Sequence, residues 1–109
     1  MRVVIDRLVD QSIHDFYWAS MWLHPTLDYE TVSAKVNWLY DAIESLQRMH
    51  SIYPEARLKQ SWIELGYREM IVEDFHIAYR LETDLDGEQY VAVYDAVHSL
   101  LYHNKIISA

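Results

Sequence analysis

The chain has 109 residues, a formal charge of −8 and no cysteine, and 51% of it is hydrophobic, with four Trp and nine Tyr. That composition supports one domain with a packed core and excludes intrinsic disorder, disulfides and thiolate metal sites. Nine basic residues against seventeen acidic ones exclude a general phosphate-binding footprint, because nucleic-acid affinity rests largely on Lys and Arg neutralising phosphates.

A basic partner protein is easier to accommodate than a nucleic acid, and any contact with nucleic acid would have to be local. No apolar run approaches the roughly 20 residues of a membrane span. Asp6, Arg7 and Asp10 interrupt any signal-peptide core in "MRVVIDRLVD". A soluble cytoplasmic protein is therefore the expectation.

The stretch "RVVIDRLV" (2–9) predicts a strand that is apolar on both faces for part of its length, as in a well-covered strand. Asp10 or Ser12 then caps a helix over 12–24. One stripe of that helix carries Ile13, Phe16, Tyr17, Ser20 and Leu23. A second stripe carries Trp18, Met21 and Trp22, which reads either as packing against the next helix or as a patch for a partner. Pro25 disfavours helix at His24. A second helix is predicted over Tyr29–Tyr53, where Val32, Val36, Leu39, Ile43 and Leu46 make one apolar seam before Pro54 stops it. Two helices with a short connection form an antiparallel hairpin.

After Pro54 the apolar period changes from about 3.6 to 2. "RLKQSWIELG" (57–66), "YREMIVE" (67–73), "FHIAYRLE" (75–82) and "EQYVAVYDAV" (88–97) predict four strands, with "DLDGE" (84–88) a turn. The last residues, "HSLLYHNKIISA", read as a short helix or an ordered tail. The expected fold is α+β, in the order β-α-α-β-β-β-β. It places a helical hairpin on one face of a mainly antiparallel sheet of four to five strands, in a single domain over 1–109.

A two-residue turn at Glu73-Asp74 sets Val72 opposite Phe75, Met70 opposite Ile77 and Arg68 opposite Tyr79. Val72, Phe75, Met70 and Ile77 then form a core face, with Arg68 at its margin. Ile71, His76, Glu69, Ala78, Tyr67 and Arg80 share the other face. Arg57 and Lys59 likewise share a face, so basic charge concentrates between residues 48 and 80.

The run "LGYREMIVEDFHIAYRLE", an acidic-Gly turn and then "YVAVYDAVHSLLYH" resembles the RelE/ParE toxin superfamily. Gly66, Arg68, Phe75, Ile77, Tyr79, Arg80, Val97, His98 and Tyr102 carry the resemblance, and where the family commonly has an arginine after the aromatic, this chain has His76. The resemblance implies a small cytoplasmic toxin of a type II toxin–antitoxin pair, neutralised by an antitoxin protein. One branch of the family cleaves mRNA on the ribosome and another poisons DNA gyrase. The alternative is a non-catalytic protein-binding module or homodimer of the same fold, for which the Trp18, Met21 and Trp22 stripe speaks.

Cleavage of RNA by 2′-hydroxyl attack needs a base, an acid and positive charge facing the phosphate. His98, with Tyr102 or His103, and His76 are the proton-transfer candidates. Arg80 and Arg68 are the phosphate-holding candidates, with Lys59 and Arg57 beside them. A solvated or paired sheet surface is the plainer reading of each arginine. His14 and His24 lie ten apart, and His98 and His103 five apart. Neither spacing suits a metal site on a helix. No Gly-rich phosphate loop or other cofactor motif is present, and no cofactor is expected.

Overall fold

Residues 1–100 are described by a computed structural model. The seam anticipated along the second helix organises the molecule: Val32, Leu39, Ile43 and Leu46 are all buried. They meet Val9, Ile13 and Tyr17 of the first helix and Met70, Phe75, Ile77, Tyr79, Val91 and Val93 of the sheet. The helices are α1 (Arg7–Leu23), α2 (Tyr29–Glu44), α3 (Leu46–Met49) and α4 (Gln60–Glu64). The strands are β1 (Val3–Ile5), β2 (Arg68–Val72), β3 (Phe75–Thr83) and β4 (Gln89–His98), in the order β1-β4-β3-β2. The expected α+β fold is present, with four strands. The sheet is antiparallel except at one edge, where β1 runs parallel to β4.

The β2–β3 hairpin has the expected register. Val72 faces Phe75, Met70 faces Ile77 and Arg68 faces Tyr79. Glu73 and Asp74 make the two-residue turn with φ of 50° and 62°, the left-handed geometry that matches strand twist. Between β3 and β4 the register shifts, so that Ala78 faces Asp95 while Tyr79 faces Val93. Tyr94 is the extra residue of that bulge, which increases local twist.

Three boundaries differ from those expected. The strand anticipated over 2–9 stops at Ile5. Asp6 accepts a 2.8 Å hydrogen bond from the Leu8 N–H and starts α1 there, so Val9 is buried on a helix, not a strand. The second helix ends at Glu44, ahead of Tyr53. There Ser45 Oγ bonds the Ala42 carbonyl and the seam ends on the short α3.

The largest correction concerns 57–66, which is not a strand. It is an extended lead-in followed by α4. The apolar positions Leu58 and Trp62, four apart, fit a helical turn as well as an alternating strand, and burial decides between them. Trp62 is 2% exposed and packs with Ala56 on Ala78, flanked by Leu58, Tyr67 and Val97. Residues 56–67 therefore lie across the sheet face opposite the helical hairpin. Burying one Trp there contributes about 2–3 kcal/mol. No helix among the described residues is long and apolar enough to cross a membrane.

Candidate functional site

The alternation of β3 sends His76 to the α4 side of the sheet, and α4-side neighbours complete its contacts. Its Nδ1 lies 2.6 Å from Glu69 Oε2, and its Nε2 lies 2.8 Å from Ser99 Oγ. Glu69 sits one diagonal step away on the paired strand, since Glu69 faces Ala78 and Ile71 faces His76. The other carboxylate oxygen, Oε1, accepts from the backbone N–H of Arg57 at 2.9 Å and of Leu58 at 3.1 Å. Burial alone would raise the Glu69 pKa; the hydrogen bonds from His76, Arg57 and Leu58 outweigh it and hold the carboxyl below its usual value. Ser99 is fixed in turn: its N–H donates to the Asp74 carbonyl at 2.9 Å, and its Oγ lies 3.0 Å from the same oxygen.

His98 is on the opposite face. β4 alternation pairs it with Phe75, on the helix side. Its ring stacks on Phe16 at 3.8 Å between centroids and meets Phe75 edge-on at 5.1 Å. Its Nδ1 accepts from the Leu100 N–H at 3.2 Å. Burial pushes the His98 pKa below the usual imidazole value, Asp74 opposes this and His76 adds to it. The ring borders a cleft of about 490 Å³ between the C-terminal half of α1 and the end of β4. His98 and His76 thus sit at adjacent register positions of the paired strands β4 and β3 but on opposite faces of the sheet. Tyr102, the other candidate named with them, lies outside the described residues, as does His103.

The four basic candidates are also dispersed. Arg80 bonds Glu82 through Nε and the Leu65 carbonyl through Nη1, at 2.5 and 2.8 Å. Its guanidinium lies 5.6 Å from the Tyr67 ring and 5.7 Å from the Tyr94 ring, which stack on one another at 5.1 Å. Arg68 donates to the Tyr53 carbonyl on the helix side. Lys59 lies 3.6 Å from Asp95 and over the Trp62 ring. Arg57 uses its backbone to hold Glu69, and its side chain is exposed. Arg80 and Lys59 are each partnered by a carboxylate, so neither presents the unpaired positive charge that a phosphate would draw on. Among the described residues no group of His, Asp or Glu side chains converges on a metal position.

The aromatic stripe of α1 divides. Met21 packs partly into the core. Trp18 and Trp22 are 66% and 82% exposed, so the reading that packs them against the second helix is not what the structure has. Trp18 also walls a groove of about 400 Å³ between α1 and α2, with Tyr17, Tyr29, Val36 and Tyr40.

Two residues of the His76 cluster, Glu69 and Ser99, were not candidates on sequence. Strand parity does place Glu69 on the face of His76. Nothing in the sequence signals Ser99, which reaches His76 only through its bond to the turn carbonyl of Asp74. Compared with known proteins, the chain matches no family model, and no curated protein matches it either.

Proposed function

We propose that the chain is the toxin of a type II toxin–antitoxin pair of RelE/ParE type, and that it acts by binding its target, as in the gyrase-poisoning branch, and not by cutting RNA. One observation carries the reading. The residues that bear the resemblance fall on consecutive paired strands, Arg68 facing Tyr79 and Phe75 facing His98, beneath a two-helix hairpin. The preference for binding over cleavage comes from the placement of the candidates. His76 and His98 are on opposite faces of the sheet, and Arg80 and Lys59 already face carboxylates. General acid, general base and phosphate clamp must converge on one substrate, and the described residues do not converge. The exposed Trp18 and Trp22 offer the antitoxin an aromatic surface.

The test is inducible expression in bacteria, alone and with the reading frame next to it. Growth arrest that the neighbour relieves, with altered plasmid supercoiling and intact mRNA, is the expected result. Unimpaired growth overturns the toxin reading, and cut mRNA overturns the binding branch.

The exposed pair Trp18 and Trp22 also favours a second reading, a non-toxic binding module or homodimer of the same fold. Sedimentation separates the two: a stable dimer that does not arrest growth is this second protein.

A further inference from the structure

We propose that Ser99, His76 and Glu69 form a serine nucleophile site that accepts neutral acyl esters. The three side chains stand in line, with Ser99 Oγ 2.8 Å from His76 Nε2 and His76 Nδ1 2.6 Å from Glu69 Oε2. Those are the nucleophile–base and base–orienter distances that a hydroxyl needs in order to be activated. The outer end is anchored, because Glu69 Oε1 is held by the N–H groups of Arg57 and Leu58. A carboxylate at Nδ1 keeps the ring proton there and leaves the Nε2 lone pair aimed at Ser99. The hydroxyl has a second acceptor in the Asp74 carbonyl at 3.0 Å. When Nε2 is unprotonated the hydroxyl proton can go to it, and when Nε2 is protonated the hydroxyl turns to Asp74.

The substrate class follows from charge. Ser99 is bonded to a turn that carries the carboxylates of Glu73 and Asp74, and Glu69 lies one histidine away. An anionic phosphoryl donor meets repulsion there, whereas an uncharged ester does not. In the acylation step, the Oγ–H proton moves to His76 Nε2 as Oγ bonds the carbonyl carbon. The ester C–O bond then breaks, and the leaving alkoxide takes the proton from Nε2. Water hydrolyses the acyl-serine by the same proton path. Stabilising the developing oxyanion would fall to the amide following the nucleophile, Leu100 N–H, which donates a 3.2 Å bond to His98 Nδ1 and has to leave it to do so.

Glu69 acts here as a positioning residue, and Glu69→Gln discriminates. The Arg57 and Leu58 donors retain the amide oxygen, so the amide nitrogen faces His76 Nδ1 and forces the ring proton onto Nε2. The hydroxyl then loses its base while the packing is kept. The intact chain is incubated with p-nitrophenyl acetate, the adduct is mapped by mass spectrometry, and the His76 tautomer is read from its ¹⁵N shifts. The expected result is an acetyl group on Ser99, absent in Ser99→Ala, with acylation slowed about tenfold or more in Glu69→Gln as the tautomer switches. Circular dichroism confirms that both variants are folded. The proposal is overturned by the absence of a Ser99 adduct in the parent, or by acylation in folded Glu69→Gln at the parent rate.

Discussion

Glu69 and His76 meet at 2.6 Å across the β2–β3 hairpin, on the sheet face that α4 covers, with the Glu69 side chain 8% and the His76 side chain 14% exposed. A buried carboxylate with three donors makes stability depend on its charge. Its folded pKa is below the ordinary value of 4.5. The stabilisation is therefore fully present above that ordinary value and is lost as pH falls through the lower, folded one. Glu69→Ala leaves two backbone N–H groups and His76 without their acceptor and should cost about 3 kcal/mol. Urea unfolding between pH 7 and pH 3 checks both statements. The parent should weaken on the acid side, and Glu69→Gln should show a flatter acid limb. Equal slopes in the two proteins would contradict this account of Glu69.

Tyr79 makes the opposite case at alkaline pH. It is fully buried, and its hydroxyl donates to the His50 carbonyl, tying β3 to the end of α3. Burial, the largest influence, pushes its pKa up to about 12, with Arg68 opposing and Tyr53 adding. A raised folded pKa means that its stabilisation is complete below the ordinary phenol value near 10 and disappears as pH climbs toward the folded value. A two-unit shift corresponds to on the order of 2–3 kcal/mol. Tyr79→Phe should cost about 1–2 kcal/mol at neutral pH, for the orphaned carbonyl. It should also lose less stability than the parent between pH 9 and pH 12. Denaturant midpoints at the two pH values give the comparison.

The turn at Glu73-Asp74 offers a gain instead of a loss. Both residues sit at positive φ, 50° and 62°, where a Glu side chain is poorly tolerated and Asn or Gly is favoured. Replacing the pair by Asn-Gly should stabilise the hairpin by about 0.5–1 kcal/mol. It should leave the Asp74 carbonyl bond to Ser99 in place, because that bond uses backbone on the turn side. A lowered melting temperature would show that the acidic side chains of the turn hold something the backbone does not.

The hairpin register was legible because strict alternation and a two-residue turn admit only one pairing: a slip by one would have put Phe75 and Ile77 into solvent. The α2 seam was legible for the same kind of reason. The 57–66 segment was not, since Leu58 and Trp62 satisfy both periods and only the burial of Trp62 against Ala78 decides. At the site, parity correctly put His76 and Arg80 on one face and Arg68 on the other. Their partners were not readable. Tyr53 and Leu65 contribute carbonyls from turns fifteen residues away, and backbone acceptors leave no mark in a side-chain pattern. Ser99 lies beyond the last strand and joins His76 only because the β3 turn folds back to bind it.

Trp18 and Trp22 lie one turn apart on α1 and are both largely exposed, while Met21 beside them packs inward. Substitutions at largely exposed positions usually change stability by less than about 0.5 kcal/mol. The double substitution Trp18→Ser, Trp22→Ser should therefore leave the urea midpoint nearly unchanged. Its effect should appear in association. Aromatic anchors at the centre of an interface typically contribute 2 kcal/mol or more each. On the toxin reading proposed above, losing either ring should weaken antitoxin binding about thirtyfold, and losing both should weaken it up to about a thousandfold. On the same proposed reading, the double variant should still arrest growth when expressed alone, and the partner should no longer rescue it. A variant that unfolds would mean the two rings stabilise α1 in a way their exposure does not reveal. A variant rescued as well as the parent would move the partner surface away from α1 altogether.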